Sequence, residues 1–404
     1  MDIYYYLNKY FNFNKLKPEQ EQIINSILNN KDTIGLLPTG FGKSITFQLP
    51  SIILDGITLV ISPLVALMAD QVNSLKKRGI RAEFINSLLT KEEISKVYRM
   101  IRYKTIDILY VSAERLENDY FLNVILKSNI TLVVVDEAHT ILWSDDFRIA
   151  IGHIGEFVKK LNKRPAILAL TATATDTTIK KIINSIGLND PLIVSALFDR
   201  PNIFYDIKRC EKKLNGLISY ISNHKNELGI IYCLTIKNCK YVYNYLKEMG
   251  FNVGYFYGTL DNDEKYYMLN SFSNHEIKIM VCTNAFGMGI DIPDIRYVIE
   301  YDLPSSIEDF LQQTGRASRD GKYREALLLF NVNDIKTYNY FIENMDSLDR
   351  TKEEIEIIKK SKYKKLDKMI EFATTRKCLH RYVVEYFGQK YDNKKCMMCI
   401  NCKK

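Results

Sequence analysis

The chain has 404 residues, 47% hydrophobic and 26% charged, with a net charge of +8. That length suits two or three domains, and the apolar content is enough to give each a core. No apolar run approaches the roughly 18 residues needed to cross a bilayer. The N-terminal MDIYYYLNKY carries an early acid in place of a basic-then-apolar leader. The expectation is therefore an intracellular protein, cytoplasmic in a prokaryote or nuclear in a eukaryote, without a membrane partner.

The charge is unevenly placed. Residues 351–404 hold 15 Lys/Arg against 7 Asp/Glu, so the first 350 residues are balanced. A basic segment of this kind suits a polyanion, and a solvated lysine-rich helix is the plainer alternative. Five of the eight cysteines lie outside any close cluster, and the other three have metal spacing, so the thiols read as reduced.

In chain order, a helical pattern ending near Asn30 leads into LPTGFGKS (37–44) and the amphipathic SITFQLPSIIL. Glycines at 40 and 42 let backbone N–H groups turn inward around phosphate oxygens, Lys43 adds a charge for the β/γ phosphates, and Ser44 offers a hydroxyl for Mg²⁺. Thr39 belongs to the same turn, and Leu37 stands where the usual pattern has its first glycine. Apolar, β-rich runs then alternate with helical segments: ITLVIS, IDILYVS, ITLVVVDE and AILALTAT. Such alternation predicts a parallel sheet covered on both faces. ITLVVVDE ends in two acids, which puts Asp136 at the carboxyl edge of the sheet as an Mg²⁺ ligand. Glu137 would orient and deprotonate an attacking water.

At LFDRPNIFYDIKRCEKK (197–213) the pattern pauses, which reads as a linker. It resumes with GIIYCL, VGYFYG, IKIMVCT, RYVIEY and ALLLF. In the second domain FLQQTGRASRDG (310–321) places Arg316 and Arg319 three residues apart on an expected helix start, both facing the γ-phosphate, with an exposed basic face as the alternative. An arginine supplied from a second domain acts only when the domains close, which couples hydrolysis to motion. After Phe330 the strands stop. A lysine-rich helical tail ends in KKCMMCINCKK, where Cys396, Cys399 and Cys402 form a C-x₂-C-x₂-C run that lacks a fourth ligand.

These segments together resemble the superfamily-two helicases and, within them, the RecQ DNA helicases, from about Phe13 to Cys402. FNFNKLKPEQEQII (11–24) is similar to that family's adenine-gripping segment, which implies stacking for Phe13, a basic role for Lys17 and a base edge for Gln20. SPLVALMADQV, YVSAERL, LALTATA, FDRPNIFY and CTNAFGMGID follow in the family's order. The resemblance implies two tandem RecA-like parallel-sheet α/β domains, residues 1–205 and 206–335, and a small helical zinc-binding module over 336–404. It adds His139 and Gln312 to the catalytic set. Ser62, Thr171, Asn202 and Thr283 fall in strand-tracking segments, where they would hold phosphates without reading sequence, turn capping being the alternative.

RecQ proteins also carry an aromatic-rich loop after the acidic tetrad, which Trp143, Phe147 and Arg148 match. An exposed indole stacking on an unpaired base is worth about 1–3 kcal/mol. Trp143, the only tryptophan, would report DNA to Glu137 from a few residues away. The loop is one residue shorter than usual, with Asp145 where the family has histidine. Phe41, Ala113 and Ile292 replace a usual glycine, proline and lysine. Cys378 resembles the first cysteine of the family's zinc module. It would complete four thiolates for Zn²⁺, with His380 as an alternative ligand and an iron–sulfur cluster as an alternative occupant.

The resemblance thus implies ATP, Mg²⁺ and Zn²⁺ as cofactors, single-stranded and forked or duplex DNA as partners, and a setting among repair or recombination proteins. The activity expected is 3′→5′ unwinding driven by ATP. Since the sequence stops at Lys404, the winged-helix domain of many relatives is expected to be absent. An ATP-switched clamp or annealing factor and an RNA helicase are the competing readings.

Overall fold

The computed structural model describes the chain apart from residues 1, 39, 64, 87–88, 143–144, 173, 287–291, 317–320, 346–350 and 404, and describes only the backbone of residues 65–67, 141–142 and 145–152. The chain divides into two compact units, Met1–Leu197 and Phe198–Lys404.

The first unit is built on strands β1 (Thr33–Leu36), β2 (Ile57–Ile61), β3 (Ala82–Ile85), β4 (Ile108–Val111), β5 (Ile130–Val135), β6 (Ala166–Thr171) and β7 (Leu192–Ser195). They form one parallel sheet in the order β3-β4-β2-β5-β6-β1-β7. The central strands are apolar nearly throughout, and β2, β4 and β6 are buried at every position. Helices on both faces leave no position along them for water.

The second unit carries β8 (Ile203–Arg209), β9 (Leu228–Tyr232), β10 (Val253–Phe256), β11 (Ile279–Cys282), β12 (Ile295–Glu300) and β13 (Arg324–Phe330), again all parallel, in the order β10-β11-β9-β12-β13-β8. Gly229 on β9 faces Tyr297, its neighbour on β12, and leaves room for that ring. A Cβ there would lie 2.0 Å from the Tyr297 ring.

One expectation changes. The strand β8 falls inside the segment read as a linker and pairs along its whole length with β13. It is an edge strand whose charged residues, Asp206, Lys208 and Arg209, keep it from reading as an apolar run. The first unit accordingly ends at Leu197, ahead of residue 205.

The helical tail expected from residue 336 packs into the second unit. Tyr205 on β8 bridges to Cys399, and its N–H donates to the Met398 carbonyl (3.0 Å). Phe372, on helix Lys352–Thr374, lies 5.0 Å from Phe310. That long helix starts with a reciprocal cap between Thr351 and Glu354. No described helix is long and apolar enough to cross a membrane.

Candidate nucleotide site and metal centre

The glycine-rich turn leaves the carboxyl end of β1, which lies between β6 and the edge strand β7, and runs into helix Ile45–Ile53. This edge of a parallel sheet is where ligands gather. Gly40 and Gly42 adopt φ +76° and +89°, which other residues rarely do, and Phe41 N–H closes the turn on the Pro38 carbonyl. Ser44 precedes the helix, yet its hydroxyl makes no capping hydrogen bond. Thr39 lies outside the described residues.

The acidic segment comes to meet this turn. Asp136 continues the β5 ladder by donating its N–H to the Ile61 carbonyl (2.9 Å). Its Oδ1 accepts the Glu137 N–H (3.0 Å). Glu137 has φ +47°, a strained conformation for a residue with a side chain, of the sort that collects at functional positions. There it reaches Lys43, whose Nζ lies 2.8 Å from Oε1, both side chains being 15% exposed.

Burial, and then the charge of Glu137, push the Asp136 carboxyl up to about 6, against the pull of Lys43 and the Glu137 N–H. A half-buried carboxyl near Lys43, whose neighbour in sequence Ser44 has an uncapped hydroxyl, fits Mg²⁺ and phosphate, which supply the missing charge balance. His139 Nδ1 lies 3.4 Å from the second Glu137 oxygen and 2.9 Å from Thr171 Oγ1, so the tetrad is braced against the end of β6.

The segment expected to grip adenine stands beside the same turn. Gln20 Nε2 donates to the carbonyls of Phe41 (3.0 Å) and Gly42 (3.2 Å), and its Oε1 accepts the Lys17 N–H. Lys17 Nζ donates to the Phe41 carbonyl and sits 3.9 Å over the Phe41 ring. Phe41, unusual for the family, thereby acquires a cation–π partner. Phe13 is 54% exposed and available to stack.

The second unit departs from expectation. Helix Ile307–Thr314 ends before the arginines, because Gly315 terminates it and the Arg316 N–H tightens the last turn onto the Gln313 carbonyl (3.1 Å). Arg316 is therefore not on a helix start. It is 6% exposed, which removes the exposed-basic-face alternative for this residue; burial pushes the nearby Tyr232 hydroxyl and Cys282 thiol up, and the Arg316 guanidinium opposes both shifts. Arg319 lies outside the described residues. Gln312 is half-buried, whereas its neighbour Gln313, which the sequence did not single out, points into the unit against Glu300 and Asn284.

The strand-tracking candidates divide between the two units. Ser62 and Thr171 are buried at the ends of β2 and β6, where the Ser62 N–H donates to the Val111 carbonyl and the Thr171 carbonyl accepts the Leu37 N–H. Asn202 and Thr283 are half-buried. Asn202 Nδ2 donates to the Lys322 carbonyl. Trp143 lies outside the described residues, and the side chains of Phe147 and Arg148, at the start of helix Asp145–Lys160, do too.

In the tail the ligand question closes. The Sγ atoms of Cys378, Cys396, Cys399 and Cys402 all lie within 4.8 Å of one another. Backbone N–H groups of Leu379, Arg381 and Met398 point at Cys399, Cys378 and Cys396. Four sulfurs at that separation, with N–H donors aimed at them, fit a closed tetrahedral Zn²⁺ site.

His380 is not a ligand. It is 1% exposed, Nδ1 lies 2.6 Å from Asp199 Oδ1, and Nε2 faces the carbonyls of Ile203 (3.1 Å) and Met398 (3.0 Å). Its ring stacks on Tyr205 at 4.4 Å. Sequence reasoning missed this tie between the module and β8. The available signal was a histidine two residues after a cysteine ligand.

Comparison with known proteins bears on the same parts. The family description DEAD/DEAH box helicase matches residues 17–182, helicase conserved C-terminal domain matches 212–321, and RecQ zinc-binding matches 332–403. The "Probable ATP-dependent DNA helicase RecS" of Bacillus subtilis is 40% identical over 356 residues, covering 86% of this chain and 70% of that protein. The chain belongs to the RecQ helicase family.

Another member, the ATP-dependent DNA helicase RecQ of Bacillus subtilis, is 34% identical over 398 residues, 98% of this chain. The chain spans 66% of that relative's length. A relative from Acanthamoeba polyphaga mimivirus, named as an RNA helicase, is 35% identical over 401 residues, with 98% of this chain and 71% of that protein covered. Among solved structures, S. cerevisiae Dbp5 bound to RNA and ADP BeF3 matches with a TM-score of 0.66 at 17% identity, over 89% of this chain and 97% of that one. The likeness is one of fold. Both units are RecA-like parallel-sheet domains, and the RecQ zinc-binding module completes the second.

Proposed function

We propose that the chain is an ATP-dependent DNA helicase that moves 3′→5′ along single-stranded DNA and unwinds duplexes. The observation that carries the reading is the 2.8 Å contact between Lys43 and Glu137, residues 94 positions apart, at the carboxyl edge of a parallel sheet. Family membership supports the choice of DNA.

In this reading Thr39, Gly40, Gly42 and Lys43 take the triphosphate. Ser44 and Asp136 hold Mg²⁺, which supplies charge neutralisation at the phosphates. Lys43 and Glu137 neutralise each other until phosphate draws the ammonium away, which leaves the carboxylate to orient water and accept its proton. His139, between Glu137 and Thr171, holds the acid in line. Gln20 and Lys17 brace the turn from the adenine side, with Phe13 against the base. Arg316 and Arg319, with Gln312, serve the γ-phosphate from the second unit.

Trp143, Phe147 and Arg148, with Asn202 and Thr283, contact the strand. Ser62 and Thr171 belong to the same strand-tracking set and hold phosphates without reading sequence. Cys378, Cys396, Cys399 and Cys402 hold the Zn²⁺ that fixes the tail's fold, and its lysines face duplex DNA.

The test is strand displacement from a forked duplex, with hydrolysis measured in parallel on single-stranded DNA and RNA. Displacement that needs ATP and a 3′ tail is expected. Hydrolysis without displacement would point to a clamp or annealing factor. A stronger response to RNA would overturn the DNA assignment, an outcome given weight by the mimivirus relative's name.

A further inference from the structure

The end of β12 carries a buried acid that the nucleotide chemistry does not use. Glu300 is the last residue of β12 and is 1% exposed. One end of the Gln313 side-chain amide stands 3.0 and 2.9 Å from its two oxygens, and the other end meets Asn284 Oδ1. Gln313 also accepts the Arg316 N–H on its main-chain carbonyl. Asn284, exposed, follows Thr283 in the segment that leaves β11.

An amide has one donor end and one acceptor end. If the NH₂ of Gln313 faces Glu300, Asn284 must turn its own NH₂ toward the Gln313 oxygen. If it faces Asn284, Glu300 must carry the proton. In both arrangements the carboxyl and the amide are set together. Burial, with the charges of Asp309 and Asp302, pushes the Glu300 carboxyl well above the usual carboxylate range, which favours the second.

We propose that Glu300 is a positioning residue for the arginine segment. By fixing the Gln313 amide it ties the loop after β11, through Asn284, to the turn that carries Arg316. The inference rests on the reading of Arg316 as a group that serves the γ-phosphate. A strand held at Thr283 would thus be coupled to the orientation of the arginine by a chain of three side chains and one main-chain bond.

The experiment compares the full-length Glu300→Ala, Glu300→Gln, Asn284→Ala and Arg316→Ala variants in DNA-stimulated ATP hydrolysis, direct binding of a fluorescent ADP, and thermal unfolding. Glu300→Ala should lower kcat about tenfold while leaving nucleotide affinity within about twofold. Glu300→Gln, which keeps both donor and acceptor, should recover most of the loss. Asn284→Ala, a change at an exposed position that does not threaten folding, should give an intermediate kcat.

A wild-type kcat in Glu300→Ala and Asn284→Ala beside an inactive Arg316→Ala would overturn the positioning role alone. A Glu300→Gln no better than Glu300→Ala, with activity and thermal stability falling in step, would reduce Glu300 to packing. An active Arg316→Ala would remove the reading of the arginine and this inference with it. Should Glu300→Ala fail to fold, Glu300→Gln and Asn284→Ala decide.

Discussion

Asp136→Asn should make the protein more stable and inactive at once. The wild-type carboxyl is raised from 3.8 to about 6 in the folded chain. A shift of about two units, at about 1.36 kcal/mol per unit, is ~3 kcal/mol. The sign follows from the direction. The acid's contribution to folding is fully present below pH 3.8, where both states hold the proton, and is lost as pH rises through about 6, where the folded protein must carry a poorly solvated charge beside Glu137.

Asparagine keeps the oxygen that accepts the Glu137 N–H but never ionises. The stability difference between variant and wild type should therefore grow by up to ~3 kcal/mol between pH 4 and pH 8, which for a unit of this size is a relative gain of roughly 6–12 °C in thermal midpoint. The measurement is thermal unfolding of both proteins across that range with Mg²⁺ chelated, together with amide exchange in β5. Added Mg²⁺ should narrow the gap by stabilising only the wild type. A difference that stays constant from pH 4 to pH 8, or a variant that loses stability only at high pH, would refute the placement of a costly, poorly solvated charge at the end of β5.

Three further outcomes are expected. Lys43→Ala should reduce hydrolysis by on the order of a hundredfold or more while the fold survives, and full activity in that variant would remove the phosphate site. His380→Ala should retain one Zn²⁺ per chain by elemental analysis yet unfold more readily, since each buried acceptor left without a donor costs roughly 1–3 kcal/mol; loss of the metal would restore His380 to the ligand set. Trp143→Ala should lower DNA-stimulated hydrolysis more than the unstimulated rate, and an equal fall in both would mean that the indole only packs.

The parts legible in the sequence were those that depend on neighbours along the chain. ITLVVVDE announced both a buried parallel strand and the acids at its end, and β5 runs over Ile130–Val135 with Asp136 and Glu137 directly after it. The triplet Cys396, Cys399 and Cys402 announced a metal site, which the structure completes with Cys378. The strands that escaped notice, β1, β3, β7 and β8, are short or lie at sheet edges, where half-exposed positions dilute the apolar run. Gln312 and Gln313 show a finer limit. Only the rotation of helix Ile307–Thr314 against β12 determines which amide points inward, and one residue of phase reverses the answer.

The sequence by itself determined the architecture and the chemistry on offer: two rounds of alternating strands and helices, a phosphate-binding turn, an acidic strand end and a cluster of thiols. Periodicity and motif spacing are local properties, and a linear chain displays them without being folded. Only the tertiary structure decided partnership. It set Lys43 against Glu137 across 94 positions, turned His380 away from the metal toward Asp199, and buried Glu300 beneath Gln313. Those pairings follow from strand order, from helix phase and from the cost of leaving a polar group dry and unmatched, none of which is written at a single place in the chain.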